Sequence, residues 1–572
     1  MRGKKIIIFI FLTGLAVGLI YGSRHFFISK ILDANGSEYS PVISEDYDVN
    51  MYYYPRAWSA YLGNNEDPAN LAILNPVLLG FFGKLSGSFG TGIILANILF
   101  SALIFMAVYL LFSEITQRKK LSVFWAVIFM FSPLFAMYFP PVSLAAAKNL
   151  FNSFLPLWDY GLYFSRWEYP QATYFFYALS LYLIFRAVKL KGAINISAAG
   201  VALGIIFYTY FYDWVYIFIS LGVLFLLFLF NRKKDEAKII LYITLIALLV
   251  SGFYWLNLWR LHSLPQFNDV VSRMGVEISH QLRFASVWKS YLRIAVLVCL
   301  LWVFVKKNRE LAVYLVSAML LAYFVAVNIQ VVLGFNPQPD HWYRQLFLPT
   351  ALAFLLLVNA VAGKARLDTI FPKKYLFVGG GIFLAVFFAL QLRSQYIFSL
   401  ANANVFAVPD HAESYEWLNE NTLKNSVVGS LPGAQNNEIS LFTHNKVFLP
   451  AGFISSVPTE EIWERTMIIG RIFGLSEEAF ARLVSENHIY LFADKYRSNE
   501  FNAYFDGVDR TVPADIYADK LAKYKKLELR EALKKYKLNY LYYVQGTGED
   551  PKKILPGILR VYGREGVIIY KL

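Results

Sequence analysis

Residues 90–112 read GTGIILANILFSALIFMAVYLLF and contain no charged side chain. A helix needs about 20 mainly apolar residues to cross the hydrocarbon core of a bilayer, and this run is long enough. The composition of the 572-residue chain agrees, because 57% of its residues are hydrophobic and 16% are charged. Soluble domains carry about 25% charged residues. The sequence therefore predicts an integral membrane protein.

Similar apolar runs lie on both sides of this stretch. The first, at 6–21, follows Lys4 and Lys5 and has no small-residue cleavage site after it, so we interpret it as an uncleaved signal anchor. About eleven spans are predicted, at 6–21, 90–112, 121–140, 171–188, 194–212, 214–231, 237–259, 287–305, 310–332, 343–362 and 374–397. We interpret the shorter run 71–85 as an interfacial helix, because counting it as a span would reverse the side of every later loop. The predicted fold class is a polytopic α-helical membrane protein.

The basic residues predict how the spans are oriented. A net charge of +14 would suggest nucleic-acid binding in a soluble protein, but here many of the cations lie in short loops, and no nucleic-acid partner is expected. Five short loops on the N-terminal side are basic, with Arg118, Lys119, Lys120; Arg186, Lys189, Lys191; Arg232, Lys233, Lys234; Lys306, Lys307, Arg309; and Lys364, Arg366, Lys373, Lys374. Cytoplasmic loops are enriched in Lys and Arg. We therefore expect a cytoplasmic N-terminus in the cell membrane, with the long loops 22–89, 141–170 and 260–286 outside.

The composition changes after residue 400. Segments with helical and strand patterns alternate there, which predicts an α/β domain over 401–572 on the external side, following a transmembrane domain over 1–400. The strands are expected at 426–431, 446–450, 538–544 and 566–572. Cys299 is the single cysteine of the chain and lies in an apolar run, so an intramolecular disulfide and thiolate metal sites are excluded.

Carboxylates and arginines accompany aromatic residues in the segments predicted to be external. The first loop contains SEDYDVNMYYYPRAWSA at 44–60, and burying such acids in a bilayer would cost roughly 2.5–3.5 kcal/mol each. Acids beside aromatic rings are typical of carbohydrate sites, because the acids bind hydroxyls and the rings cover apolar sugar faces. The candidate site residues are Asp46, Asp48, Arg56, Arg166, Trp167, Glu168, Asp213, His341, Trp342 and Arg344.

This arrangement resembles glycosyltransferase superfamily C, which includes protein O-mannosyltransferases, lipid A aminoarabinose transferases and oligosaccharyltransferases. The resemblance rests on the acidic pair in a long first external loop, about eleven spans and an external C-terminal domain. It implies an inverting transfer of a sugar from a polyprenyl-phosphate donor, with Asp46 or Asp48 as the catalytic aspartate and Glu168 at the acidic position of the second loop. The sequence departs from the aminoarabinose and mannosyl branches in having Asp-Tyr-Asp rather than adjacent Asp-Glu. It also lacks the Trp-Trp-Asp motif of oligosaccharyltransferases, so donor and acceptor stay open.

The proposed chemistry explains the residue types. A base must take the proton of the acceptor hydroxyl, and we prefer Asp46 with Asp48 as its partner. An Asp-x-Asp pair could also hold a divalent metal such as Mg²⁺ or Mn²⁺. Arg344 and His341 would bind the phosphate, since a guanidinium fork binds two oxygens. The acceptor could be a glycan, a lipid or a protein.

Each candidate also has a structural interpretation. Asp46 and Asp48 could be solvated loop acids, and Asp213 could cap a helix N-terminus. Arg56, Arg166 and Arg344 could reach the lipid headgroups as interfacial anchors. Alternative functions are a transporter or flippase of a lipid-linked glycan, and a glycan-binding assembly protein. Transporters carry ionisable residues deep within their spans, whereas the central thirds of these spans are almost free of charge, which favours chemistry at the membrane surface.

Overall fold

The computed structural model describes residues 2–64, 71–141, 143–155, 161–282, 287–305, 309–364, 373–496 and 512–572. Its contacts divide the chain into two compact units, neither of which is continuous in sequence. The first unit comprises Met1–Pro41, Leu71–Leu258 and Ile278–Phe406. The second comprises Val42–Asn70, Trp259–Glu277 and Ala407–Leu572. The expected boundary near residue 400 between a transmembrane and an external domain stays a prediction.

Helices form almost all of the first unit and its connection to the second. They are Arg2–Ala34, Leu74–Ser86, Phe89–Thr116, Lys119–Phe131, Phe135–Tyr138, Leu144–Asn152, Gln171–Leu190, Ala193–Ile206, Phe211–Phe230, Lys234–Val250, Gly252–His262, Trp288–Phe304, Glu310–Val327, Gln330–Leu333, Phe347–Lys364 and Lys373–Asn402. Short 3₁₀ turns occur at Tyr163–Ser165, Pro339–Leu346 and Ala403–Phe406, and short strands at Val276–Ile278 and Phe335–Pro337.

Each predicted span coincides with helical structure. Among the described residues, seven helical segments are long and apolar enough to cross a membrane: Ile7–Ala34, Phe89–Thr116, Gln171–Leu190, Phe211–Phe230, Glu310–Val327, His341–Val361 and Val378–Phe406. Lys234–Val250 and Gly252–His262 form a pair bent by 58°, which would be an eighth span if the pair crosses as one. The helices at three other predicted spans have 13, 14 and 17 residues. The structure therefore supports a mostly helical membrane protein, and the count of eleven spans stays a prediction.

Small residues allow the helices of the first unit to approach closely. A Cβ atom added at Gly18 would lie 2.4 Å from the carbonyl oxygen of Ile98, on the neighbouring helix. A Cβ atom at Gly204 would lie 2.5 Å from the Cβ of Val250. Close backbone approach through glycine is how helices pack when lipid gives no hydrophobic drive for their association.

Ion pairs and capping bonds join the helix ends next to four of the five basic loops. Lys189 pairs with Glu114 at 2.6 Å, Lys191 with Glu236 at 2.9 Å and Lys233 with Glu310 at 2.9 Å, while Arg309 donates to the carbonyl oxygens of Ile115 at 3.0 Å and Thr116 at 2.7 Å. Lys306, Lys307, Arg366 and residues 365–372 of the fifth loop lie outside the described residues. We call this set of joined helix ends the basic end of the first unit.

The second unit contains a five-stranded mixed sheet. Its spatial order is Lys446–Val447, Val427–Gly429, Tyr540–Val544, Val567–Lys571 and Leu559–Arg564. The first three strands pair in parallel, and the last two form an antiparallel hairpin beside them. Its helices, besides a π-helix at Val49–Tyr53, are Tyr54–Leu62, Phe267–Arg273, Ala412–Asn421, Ala434–Phe442, Thr459–Ile472, Glu477–Glu486, His488–Phe492, Ala514–Lys526, Leu529–Lys534 and Pro551–Ile554.

The four strands expected from the sequence coincide with strands of this sheet, and the edge strand Leu559–Arg564 was not predicted. All six of its residues are exposed or half-buried, and it contains Gly563, so its pattern is weak. Edge strands often lack the alternation that a buried face imposes.

Two distant segments of the chain pack into the second unit. Met51, from the first loop, lies in the same apolar core as Ile462 and Trp463. The indole N–H of Trp58 donates to the carbonyl oxygen of Thr443 at 2.7 Å. Arg273, fully buried, donates to three carbonyl oxygens and one hydroxyl, on Gly452 at 3.3 Å, Ser455 at 2.6 Å, Val457 at 2.8 Å and Thr459 at 3.1 Å.

Candidate active site

The segments that precede three helices of the first unit meet at the helix ends opposite the basic end. These helices are Gln171–Leu190, Phe211–Phe230 and Phe347–Lys364. Gln171–Leu190 and Phe211–Phe230 both begin there and finish at the basic end. The ring centres of Tyr169 and Tyr210 are 4.3 Å apart in a stacked pair, and those of Tyr212 and His341 are 5.1 Å apart. The guanidinium carbon of Arg344 lies 5.3 Å from the ring centre of Tyr169. We call this cluster of rings and charges the aromatic end.

A buried polar network holds the second loop against its neighbouring helices. Arg24 donates to Ser165 Oγ at 3.2 Å, and Asn97 Nδ2 donates to the carbonyl oxygen of Ser165 at 3.2 Å. Gln171 Nε2 donates to Asn97 Oδ1 at 3.0 Å and to the carbonyl oxygen of Phe164 at 2.8 Å. The sequence interpretation missed these residues. The amides of Asn97 and Gln171 inside predicted spans were the signal that could have identified them, because buried polar groups need partners.

Arg166, Trp167 and Glu168 follow this network directly. Trp167 is buried and packs edge-on against Phe100, with ring centres 5.2 Å apart. Glu168 is also buried and has φ = 66°, a left-handed conformation that is uncommon for residues other than glycine. Such backbone strain clusters at binding and catalytic sites, where the surrounding structure holds it in place. The structure thus fixes Glu168 at the start of the helix Gln171–Leu190.

Asp213 is a buried carboxylate in the first turn of the helix Phe211–Phe230. The N-cap of this helix is Tyr210, so the capping interpretation of Asp213 is wrong. Gln345 Nε2 donates to Asp213 Oδ1 at 2.8 Å, and Oδ2 has no hydrogen-bond partner among the described residues. Gln345 was not singled out from the sequence. A buried carboxylate with a neutral partner is costly, so its presence at this position calls for a functional explanation.

Arg344 is surrounded by phenol rings. Its guanidinium also lies 5.9 Å from the ring centre of Tyr343, and the hydroxyls of Tyr163, Tyr169 and Tyr210 interact with it electrostatically. Burial raises the pKa of Tyr163 to about 12, although the positive charges of Arg344 and Arg166 oppose that rise. The Tyr163 phenol is therefore a neutral hydrogen-bonding group near neutral pH.

His341 and Trp342 are fixed by the segment that precedes them. The indole N–H of Trp342 donates to Asn336 Oδ1 at 2.8 Å, and the ring is fully buried. Tyr212, which stacks on His341, donates its hydroxyl to the carbonyl oxygen of Pro337 at 3.0 Å. Trp167 and Trp342 therefore support neighbouring side chains in this structure, whereas His341 is half-exposed.

Asp46, Asp48 and Arg56 belong to the second unit, in the segment Val42–Asn70. Ser44 and Asn50 close the turn before the helix: Ser44 N–H donates to Asn50 Oδ1 at 2.9 Å, and Asn50 Nδ2 donates back to the carbonyl oxygen of Ser44 at 2.7 Å. The backbone N–H of Asp46 donates to Ser44 Oγ at 3.2 Å. Asp46 and Asp48 are half-exposed. The turn is thus ordered by its own hydrogen bonds and leaves both carboxylates accessible.

Arg56 lies on the helix that follows this turn. Its guanidinium carbon is 4.6 Å from the ring centre of Tyr52, and the side chain is buried. An anchor that reaches into headgroups would keep its charged end exposed. The buried position therefore disfavours the anchor interpretation for Arg56.

The first loop offers two carboxylates to a divalent metal. Within the described ranges, no group of three or more His, Cys, Asp or Glu side chains is placed to hold an ion. Asp46 and Asp48 would supply two oxygen ligands, and Mg²⁺ is commonly bound by one or two carboxylates together with substrate phosphates and water. A Mg²⁺ or Mn²⁺ ion at this pair therefore stays a prediction.

No family model and no curated relative matches the sequence. Two crystal structures of ArnT from Cupriavidus metallidurans are similar in fold. The apo structure has 10% identity and a TM-score of 0.42, covering 96% of this chain and 97% of that one. The structure bound to undecaprenyl phosphate has 9% identity and a TM-score of 0.41, covering 97% of each chain.

Both neighbours are lipid A aminoarabinose transferases, one of the groups that the sequence resembles. With identities of 10% or less and TM-scores below 0.5, they assign neither an activity nor a residue role to this chain. The functional interpretation rests on the site itself.

Proposed function

We propose that this protein is an inverting glycosyltransferase that moves a sugar from a polyprenyl-phosphate donor to an acceptor on the external face of the membrane. The observation that carries the proposal is the aromatic end. There a guanidinium, a buried carboxylate and several phenols meet where three helical segments begin, opposite the basic end. Such a cluster offers positive charge and hydrogen bonds to a phosphate group.

The donor phosphate would bind to Arg344. A guanidinium fork can hold two phosphate oxygens at once, and stacking on phenol rings keeps it oriented. Gln171–Leu190, Phe211–Phe230 and Phe347–Lys364 all begin in the segments of this cluster. The N-termini of helices attract anions through their free N–H groups and dipoles. The lipid tail of the donor would then lie along the spans.

The base would be Asp46, with Asp48 as its partner. Its carboxylate would take the proton of the acceptor hydroxyl as that oxygen bonds to C1 of the sugar, while the bond from C1 to the phosphate oxygen breaks. A single displacement inverts the anomeric centre. Glu168 would orient the acceptor or a sugar hydroxyl. The substrate-binding set would be Arg56, Arg166, Asp213, His341 and Arg344, and Arg344 would stabilise the departing phosphate. The buried Trp167 and Trp342, also predicted to bind substrate, would instead hold neighbouring side chains of this set in place.

We also propose the orientation and domain division predicted from the sequence. The ion pairs at the basic end support a cytoplasmic location for it, because they bring the basic loops to one side. The aromatic end and the α/β domain over 401–572 would then be external, after a transmembrane domain of about eleven spans over 1–400. Asp550→Cys in a Cys299→Ser background tests this orientation with a thiol reagent that does not cross the membrane. We expect labelling in intact cells, and labelling only after permeabilisation would contradict the orientation.

The activity can be tested without knowing the acceptor. The full-length protein in vesicles would be given a panel of radiolabelled polyprenyl-phosphate sugars together with membranes as a source of acceptor, and the release of free polyprenyl phosphate would be measured. We expect release with at least one donor and loss of release in Glu168→Gln. Movement of an intact donor across the vesicle without release would support the flippase alternative instead. Binding of glycan without either process would support an assembly protein.

A further inference from the structure

One side chain, Asn50, closes the turn that carries Asp46 and Asp48. Its Oδ1 accepts a hydrogen bond from the N–H of Ser44 at 2.9 Å, and its Nδ2 donates to the carbonyl oxygen of Ser44 at 2.7 Å. We call these two bonds the Asn50 clamp. A side-chain amide offers a donor and an acceptor side by side, whereas an ionised carboxylate only accepts. The clamp therefore depends on asparagine at this position, with both acids enclosed between its ends.

Further hydrogen bonds within the clamp fix the backbone of Asp46. Its N–H donates to Ser44 Oγ at 3.2 Å, and its carbonyl oxygen accepts from the N–H of Val49 at 3.1 Å. Ser44 and Val49 are buried, whereas Asp46 is half-exposed. The backbone from which the Asp46 carboxylate projects is therefore held on both sides by buried residues.

The segment after the clamp packs into the apolar core of the second unit. Val49–Tyr53 is a π-helix, and its residues Val49, Met51 and Tyr53 are buried. Met51 lies in one apolar cluster with Leu449 and Ile462. π-helical turns are rare and occur frequently at functional sites. The Asn50 clamp is therefore attached, through Met51, to a packed core.

Tyr47 gives the turn a second contact with the same core. Burial raises the pKa of Tyr490, and the nearby hydroxyl of Tyr47 raises that pKa further. Tyr490 is itself fixed, because it is almost fully buried and donates its hydroxyl to the carbonyl oxygen of Leu449 at 2.8 Å. Asp48 therefore lies between two residues, Tyr47 and Met51, that interact with the core of the second unit.

The position of the base limits the rate of a transfer reaction. Its carboxylate must stay within about 2.6–3.2 Å of the acceptor hydroxyl, and a misplacement of about 1 Å can cost roughly 10²-fold in rate. We propose that Asn50 is a positioning residue, which holds Asp46 in place on the core of the second unit. It acts through Asp46 and not on the substrate. The inference rests on the proposed function, because it needs an acid of this turn as the base.

Hydrogen exchange and donor turnover, both measured on the full-length protein, test this role together. Asn50→Ala removes both bonds of the clamp, and the isosteric Asn50→Asp removes the donor. Asn419→Ala is the matched control, because Asn419 is also half-exposed and makes the same kind of reciprocal pair. It donates to the carbonyl oxygen of Phe442 and accepts from the N–H of His444, each at 2.8 Å.

We expect both Asn50 variants to exchange faster over residues 42–53 and to lower kcat by about 10-fold to 10²-fold. KM for the donor should stay within about 2-fold, because Arg344 still binds the phosphate. Asn419→Ala should leave the exchange of these residues and kcat unchanged.

Three results would overturn the positioning role. They are unchanged exchange over residues 42–53 in Asn50→Ala, faster exchange with unmodified kcat, and an equal loss of kcat in Asn419→Ala. Failure of the proposed function gives a different result, because Asp46→Asn and Asp48→Asn would then both keep full turnover.

Discussion

The two ends of the helices in the first unit treat charge in opposite ways. At the basic end, each of three lysines has a carboxylate partner within 3 Å, and the pairs are partly exposed to solvent. At the aromatic end, Arg344 lies over phenol rings, and the buried Asp213 has a neutral amide as its partner. Three lysines of the basic end are thus paired with carboxylates, whereas neither Arg344 nor Asp213 has an ion-pair partner among the described residues.

This difference supports the proposal that the aromatic end is a site and the basic end a scaffold. Partly exposed ion pairs contribute about 0–1 kcal/mol each and tolerate substitution. Buried charges without an ionic partner are expensive and are retained where they act on a ligand.

The largest effect is expected at Asp46, the carboxylate that we propose as the catalytic base. Asn keeps the shape of the side chain and removes its basicity, so Asp46→Asn should lower the rate of donor turnover by roughly 10²–10⁴-fold. A half-exposed loop acid contributes little to folding, so stability should change by less than about 0.5 kcal/mol. Release of polyprenyl phosphate gives the rate, and thermal unfolding gives the stability.

Two controls accompany this variant. Glu114→Gln at the basic end should turn over donor at the unmodified rate, because among the described residues Glu114 pairs with Lys189 at the ends of the helices opposite the aromatic end. Asp48→Asn should have a smaller effect than Asp46→Asn. If Asp48→Asn shows the larger loss, the base is Asp48, and if both variants keep full turnover, the first-loop acids have no catalytic role.

A cation in the second unit gives a contrasting case. Arg273 is fully buried like a site residue, but its hydrogen-bond donors are supplied with acceptors, so we expect a purely structural role. Arg273→Met should lower the free energy of unfolding by about 3 kcal/mol, because it removes a buried, hydrogen-bonded charge. Thermal unfolding measures this, with the exposed Arg482→Met as the control. An unchanged melting temperature would contradict the structural role.

Asp213 tests the opposite case, a buried charge kept for function. Asn can still accept from Gln345 and removes the buried charge, so Asp213→Asn should leave the melting temperature unchanged or raise it. Turnover should fall by about 10-fold, as expected for the loss of a charged hydrogen bond to substrate. Asp235→Asn is the matched control, since Asp235 occupies the first turn of a helix that begins at the basic end. Unchanged turnover in Asp213→Asn would remove Asp213 from the site.

Most of the secondary structure could be predicted from local sequence patterns. Hydropathy identified the helices because a span needs a long apolar run whatever its neighbours are. The basic loops were identified from local clusters of Lys and Arg. Lys189, Lys233 and Arg309 do lie at the basic end, where side chains connect neighbouring helix ends. Glu168 and Arg344 were singled out because charge beside a span is rare.

Long-range packing could not be predicted in this way. Trp58 and Thr443 are 385 positions apart, and no local pattern predicts that the first loop packs into the second unit. Gln345 was missed because its role depends on facing Asp213 across 132 positions. One continuous span was predicted at 237–259, whereas the structure has two helices there, Lys234–Val250 and Gly252–His262, with a bend between them. The bend could not be predicted because the residues on both sides of it are apolar.

The smallest effect is expected at the basic end. Lys189→Met removes a partly exposed ion pair with Glu114, so stability should change by about 0.5 kcal/mol or less. Turnover should be unchanged, because the pair lies at the far ends of the helices from the aromatic end. The thermal unfolding and release assays used above measure both quantities. A large loss of turnover in Lys189→Met would contradict the proposal that only the aromatic end takes part in the reaction.

The most direct measurement is the affinity for undecaprenyl phosphate of Arg344→Lys compared with Arg309→Lys, each against the unmodified protein. Lysine keeps the charge but loses the planar fork, so we expect Arg344→Lys to bind the lipid phosphate about 10-fold more weakly. Arg309 donates to two helix carbonyls at the basic end, and Arg309→Lys should bind as the unmodified protein does. Equal affinity of Arg344→Lys and the unmodified protein would contradict the assignment of the aromatic end as the phosphate site.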